Sequence, residues 1–136
     1  MIATIKTPNA QNTTDQARNA RDNQALIEEY AVLAPRADEI ALLVTCRLYM
    51  STARDANRIT AIVWVGGAHG SGTASGYGYH KQSAAVAAAI ASAGFEIDQD
   101  IAGRGDSAIT EALCAVAIAV YPDVDQSKLY VHRAHN

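Results

Sequence analysis

Between residues 40 and 51, apolar and smaller or polar side chains alternate one by one. Ile40, Leu42, Val44, Cys46, Leu48 and Met50 fall on one parity. Ala41, Leu43, Thr45, Arg47, Tyr49 and Ser51 fall on the other. A period of two is that of an extended strand with one apolar face. The run ITAIVWV (59–65) is rich in β-branched residues and predicts a second strand. The turn-forming stretch 51–57 between them predicts an antiparallel hairpin. Upstream the period changes. Leu26, Ile27, Tyr30 and Leu33 share one helical face, which predicts a helix over Asp22 to Ala34 ended by Pro35.

Two further helices are expected. The run SAAVAAAIASA (83–93) is mostly alanine, the best helix former, and Gly94 follows as a C-cap. Asp106 or Ser107 is expected to cap the second, which runs to Val120 and is stopped by Pro122. Phe95 to Gly105 connects the two, and Leu129 to Arg133 can form a short closing strand. The predicted order is helix, strand, strand, helix, helix, strand. That order suits an α+β fold, an antiparallel sheet with two alanine-rich helices packed on one face. The expected division is a polar N-terminal arm and short helix over 1–37, then a single α+β ligand-binding domain over 38–136. After Glu111 the second helix is apolar on nearly every side, so it must be buried all round. A chain of 136 residues has little interior for two such helices. A homo-oligomer, with a partner subunit covering one of them, is therefore expected; the alternative is that the sheet and residues 22–34 cover both.

Composition narrows the function. About half the residues are apolar and the net charge is −3. This argues against a general nucleic-acid binder, which needs a basic surface. A small nucleotide remains possible, because a few well-placed cations suffice. Cys46 and Cys114 sit in apolar runs without CxxC spacing and read as core residues. His69, His80, His132 and His135 show no metal-ligand spacing, so no metal and no cofactor are expected. The pattern of a signal peptide is missing, and the longest apolar run, Ala112 to Tyr121, is too short to span a bilayer. The expectation is a soluble, cytoplasmic protein with no membrane partner.

All nine glycines follow residue 65, and six fall between Gly66 and Gly78. Four of these lie in the stretch GSGTASGYGYHKQSAA (70–85). A phosphate loop GxxxxGK[ST] does not fit, since five residues separate Gly70 from Gly76 and Lys81 follows no glycine. GxGxxG fails at Ser75. The ingredients of an anion site remain. Backbone amides at Gly76 and Gly78, the hydroxyls of Thr73 and Ser75, and Lys81 near a helix start could all face a phosphate. A flexible surface loop explains the glycines and serines as easily, and the rings of Tyr77, Tyr79 and His80 less well, so both readings stay open here. In GRGDS (103–107) two glycines flank Arg104 just before a helix, with Asp106 as the expected cap; an anion could meet the guanidinium and the helix start. The RGD tripeptide also occurs in integrin ligands, but nothing else here looks secreted. Arg47 and Trp64, on neighbouring strands, could clamp a base; a solvated arginine and a core tryptophan are the plainer alternative. No nucleophile, base and orienter stand together, and the strands carry almost no carboxylates. Binding is favoured over catalysis.

The segments ASGYGYHKQSAAVAAAIASAGFEI and GRGDSAITEAL, with the strand ITAIVWVGG before them, resemble phage Thoeris anti-defence proteins of the first described family. The resemblance covers roughly Ile40 to Val120; the polar stretch 8–24 has no counterpart. It implies a sponge: a homo-oligomer that binds cyclic ADP-ribose-type signals made by bacterial TIR proteins, in pockets at subunit interfaces, and holds them unaltered. Some members also bind cyclic oligonucleotides. Gly76, Tyr77, Gly78, Tyr79, Lys81 and Ser83 match the first segment, and Gly103, Arg104, Gly105 and Asp106 the second. Arg47, Arg54, Arg58 and Trp64 are offered on chemistry alone. On this reading Tyr77 or Tyr79 stacks on a base, while Arg104, Lys81 and loop amides hold phosphates. The rival readings are an enzyme that cleaves the same signals, and a protein-binding inhibitor or structural oligomer with no small ligand.

Overall fold

The computed structural model describes residues 1–6, 24–51, 57–76 and 78–135. The alternating run forms strand β3 (Glu39–Ser51), paired antiparallel with β4 (Arg58–Val65) as the sequence predicts. Its other neighbour is a surprise. Residues expected to be helical form a long strand, β2 (Gln24–Arg36), which runs antiparallel to β3. The pairing skips Ile27 on β2 and Leu43 on β3, so alternation breaks once in each strand. The break at Leu43 turns Ile40 and Leu42 to the face opposite Val44, Cys46 and Leu48, where the sequence predicts one apolar face for all of them. The helix-like set Leu26, Ile27, Tyr30 and Leu33 therefore mixes the two sheet faces, with Tyr30 turned inward and Leu33 outward. Pro35 is tolerated because the neighbouring strand on that side reaches only to Leu33. The polar stretch of the expected arm lies outside the described residues up to position 23.

The glycine-rich stretch is also a strand over most of its length. Strand β5 (Ala68–Ser75) pairs with β4 from Val65↔Ala68 to Arg58↔Ser75. The turn between them is Gly66–Gly67, with φ of 48° and 89°, the left-handed pair that a two-residue hairpin wants. Strand β7 (Tyr130–His135) closes the far edge against β2. The sheet order is β5-β4-β3-β2-β7. A separate two-stranded ribbon joins β1 (Ala3–Ile5) to β6 (Phe95–Ile97), within the segment expected only to connect the helices.

Helix α1 (Gly78–Ser92) and helix α2 (Asp106–Val120) form as expected, and α1 is followed by Gly94 with φ 95°. Both join one core with the inner sheet face: Tyr30, Val32 and Ala34 of β2, Val44, Cys46 and Leu48 of β3, Ile59, Ala61 and Val63 of β4. Small residues let α1 lie directly on β5. A Cβ at Gly70 would stand 2.3 Å from Ala93 N, and one at Gly72 2.3 Å from Ala88 Cβ. These two glycines serve close helix–strand approach.

Helix α2 is covered within the single chain. Ala108, Ile109, Ala112, Leu113, Ala115, Val116 and Ala117 are buried, leaving Ser107 and Glu111 exposed. The expectation of a partner subunit no longer rests on that helix. The large apolar side chains left open on the main sheet lie on its outer face. Tyr130, Leu33 and Leu42 stand side by side across β7, β2 and β3, and Ile40 follows. Leu42 is 57% exposed. Among the described residues no helix is long and apolar enough to cross a membrane.

Candidate functional site

Two short segments converge on the helix side of the sheet. They are the first turn of α1 and the turn that precedes α2. The Nδ1–H of His80 donates to the carbonyl of Gly103, and the Ser83 hydroxyl donates to the carbonyl of Arg104 at 2.7 Å, shared with that of His80 at 2.9 Å. Ser83 is wholly buried. The segments GYGYHKQSAA and GRGDS are thus brought together from 21 residues apart by bonds that use their own polar side chains.

Tyr79, Lys81 and Arg104 are exposed around this junction. The aliphatic part of Lys81 lies against Gly76. The Arg104 guanidinium reaches only the neutral Gln99, at 3.3 Å. Neither cation pairs with a carboxylate among the described residues. The first turn of α1 contains no acidic residue, so its free amides stay electropositive. Gly76 and Gly78 take φ of 128° and 77° on either side of Tyr77, which itself lies outside the described residues.

The start of α2 differs. Its N-cap is Gly105, without a side-chain cap bond, so Asp106 is not the expected cap. Asp106 occupies the first turn, where its charge offsets the helix dipole, and it accepts from Arg133. An anion is therefore better received at α1 than at α2.

Arg133, on β7, was not singled out in the sequence. Its Nε donates to Glu28, its Nη1 to Asp106 and its Nη2 to the Tyr79 hydroxyl. It also lies over the rings of Tyr79 and Tyr30, 4.7 and 5.3 Å from their centroids. Glu28 is only 3% exposed and also meets His135 Nδ1 at 3.4 Å. Burial works against the Arg133 charge, but the bond to Glu28, with Tyr30 and Asp106, outweighs it and raises the pKa. Burial also pushes up the phenol of Tyr30 and, beside Glu28, the thiol of Cys46. The one hint in the sequence was Glu28 itself, a carboxylate amid Leu26, Ile27, Tyr30 and Val32 that needs a cation if that stretch is core.

The remaining sequence candidates lie elsewhere. Arg47 and Trp64 point to the outer face, away from both helix starts. Arg47 donates to Glu29 at 2.5 Å and lies 5.5 Å over the Trp64 ring. The Glu29 bond leads in raising its pKa. Thr73 and Ser75 belong to β5 and alternate with Gly72, which faces α1, so they too face outward. Residues 70–75 are extended in the edge strand, where successive amides point in alternating directions, so they do not converge into a phosphate cradle. Arg58 stands opposite Ser75, and Arg54 lies outside the described residues.

A cleft of about 520 Å³ lies beside Arg104, between α1 and residues 94–101. Ala87, Ile90, Ala91 and Phe95 line it with Glu96, Asp98 and Asp100. Those carboxylates already bind Lys6 (3.1 Å), the Ile2 amide (2.8 Å) and the Ala102 amide (3.0 Å). Their charge disfavours a phosphate there. Comparison of the chain with protein-family models, with curated proteins and with solved structures gave no match.

Proposed function

We propose that this chain is a sponge for a cyclic nucleotide signal, of the cyclic ADP-ribose or cyclic oligonucleotide type, and holds it without breaking it. The observation that carries this reading is the pair of exposed cations, Lys81 and Arg104, on two segments tied together by Ser83 and His80. Two phosphates, or one pyrophosphate, are what such a pair receives best. The free amides of α1 add to the same field, and the exposed ring of Tyr79 offers a face for a base.

Retention without chemistry is favoured by how the reactive groups are engaged. The Ser83 hydroxyl and the His80 Nδ1–H, the natural nucleophile and proton carrier at this junction, are bonded to backbone carbonyls. The resemblance of GYGYHKQSAA and GRGDSAI to phage Thoeris anti-defence proteins supports the same reading, with the host cytoplasm as the place of action.

A homo-oligomer completes the proposal, and we assign self-association to the outer-face strip of Tyr130, Leu33, Leu42 and Ile40. An apolar, uncharged strip is complementary to its own copy, as a two-fold interface requires. The strip and the helix starts occupy opposite faces of the sheet, so each can be tested without disturbing the other.

Calorimetric titration with cyclic ADP-ribose isomers and cyclic dinucleotides tests the reading. Saturable heat is expected with at least one, and heating the complex should release that molecule intact. No heat with any of them, from a folded sample, refutes nucleotide binding; a degraded ligand refutes the sponge and favours cleavage.

A further inference from the structure

We propose that Arg133 is the positioning residue of this site, holding the Tyr79 ring and the start of α2 in place without itself receiving the ligand. This rests on the reading of the junction as a nucleotide site. The guanidinium reaches three elements at once. Glu28, Tyr79 and Asp106 lie 105, 54 and 27 residues from Arg133 in the chain, so β7 is fastened to β2, α1 and α2 through one side chain.

Charge decides against a direct ligand role. One guanidinium faces two carboxylates, and Glu28 is buried with it. An incoming phosphate would meet a cation already neutralised, with Asp106 repelling it. The cations at this junction that pair with no carboxylate among the described residues are Lys81 and Arg104.

Geometry shows what Arg133 does instead. Tyr79 is 37% exposed and sits in the first turn of α1, where its ring would otherwise sample several rotamers. A donor to its hydroxyl and a planar cation over its face leave one orientation. Lysine cannot replace this, because an ammonium lacks the flat, forked geometry that serves Glu28, Asp106 and Tyr79 together.

The test joins a ligand-free readout to a binding one. Tyrosine-labelled protein is examined by NMR as wild type, Arg133→Lys and Tyr79→Phe, the last also identifying the Tyr79 signal. Arg133→Lys is expected to shift the Tyr79 ring signals and speed ring rotation. Tyr79→Phe keeps the ring and removes one exposed hydroxyl; it should leave the fold intact and hasten exchange of the Arg133 guanidinium protons. Both variants should bind the cyclic nucleotide about five- to tenfold more weakly. Unchanged Tyr79 signals in Arg133→Lys overturn the proposal. So does wild-type affinity in Tyr79→Phe, which keeps the test decisive should Arg133→Lys not fold. If the wild type binds no nucleotide, the functional reading fails, while the ring signals still judge whether Arg133 holds Tyr79.

Discussion

The buried hydroxyl of Ser83 donates to the carbonyl of Arg104 at 2.7 Å and so fixes the turn before α2 against the first turns of α1. Ser83→Ala leaves that carbonyl without its partner. The lost bond costs about 1 kcal/mol or somewhat more, partly offset by the better helix propensity of alanine. A fall of a few degrees in Tm is expected, together with weaker binding of the proposed nucleotide, because the turn that carries Arg104 is no longer tied to the helix that carries Lys81. A variant with wild-type Tm and affinity would show that the two segments are positioned by other contacts.

Glycines of the same stretch should differ sharply in their tolerance. In Gly72→Ala the new Cβ would stand 2.3 Å from Ala88 Cβ and 2.6 Å from the Ala85 carbonyl oxygen, so α1 must lift from β5. Overpacking of this kind costs about 1–3 kcal/mol, and more where backbone must move. Gly105→Ala meets nothing within 4 Å and has φ of −83°, so only the poorer N-cap counts and a loss of about 1 kcal/mol or less is expected. Urea unfolding of the two variants measures the contrast. Equal stabilities would contradict the helix–strand approach described here.

Much of this fold was legible, and its failures have physical causes. The β3–β4 hairpin follows from strict alternation, and the two helices from alanine content and bounding glycine and proline. Leu26, Ile27, Tyr30 and Leu33 have helical spacing although the segment is strand β2, because the skipped Ile27 offsets the period of two carried by Glu28, Tyr30, Val32 and Ala34. Strand β5 was read as a loop because glycine there answers to a helix packed on it, which no local signal reports. Tyr79, Lys81 and Arg104, expected near helix starts from residue type, do lie at the first turn of α1 and the turn before α2. Arg133 was not expected, because its role arises from partners far away in the chain. Arg47 and Trp64 are neighbours as their strands predict, with the guanidinium over the ring, but they lie on the opposite face from the junction.

Lys81→Ala and Arg104→Ala should each weaken nucleotide binding by about tenfold or more, the scale of one hydrogen bond to a charged group. Both side chains are exposed and unpaired with carboxylates, so stability should change by less than about 0.5 kcal/mol. The salt dependence of affinity should also become shallower in each variant, because one fewer charge meets the ligand. Calorimetry at two ionic strengths gives both quantities. Loss of affinity in neither variant would remove the junction as the ligand site.

Self-association should depend on the outer sheet face. Leu42→Asp places a charge in the strip formed with Leu33 and Tyr130, at a side chain already open to solvent. The monomer should stay folded, while two such charges facing each other across a two-fold interface would repel. Light scattering after gel filtration should show a shift to monomer with unchanged circular dichroism. An oligomer that survives Leu42→Asp and Tyr130→Asp together would assign the interface to another surface.

Tyr30 gives the chain a stability that depends on alkaline pH. Its side chain is fully buried and its hydroxyl has no hydrogen-bond partner among the described residues. Burial first, and then the charge of Glu28, raise its pKa above the ordinary 10.0, with Arg133 pulling the other way. Below pH 10 the folded and unfolded chains both keep the phenolic proton, so this contribution is constant. As pH rises above 10 the unfolded chain loses the proton and the folded chain retains it. Unfolding is then favoured, and the contribution is lost progressively until the folded pKa is passed. Tyr30→Phe keeps the ring under Arg133 and removes the proton. At pH 7 it should be neutral or stabilising by up to about 1 kcal/mol, because an unpartnered buried hydroxyl is removed. Above pH 10 its advantage over wild type should widen with each step in pH. Denaturant unfolding of the pair at pH 7, 9, 10.5 and 11 measures this difference, and parallel curves across that range would show that Tyr30 ionises as freely in the folded protein as in the unfolded one.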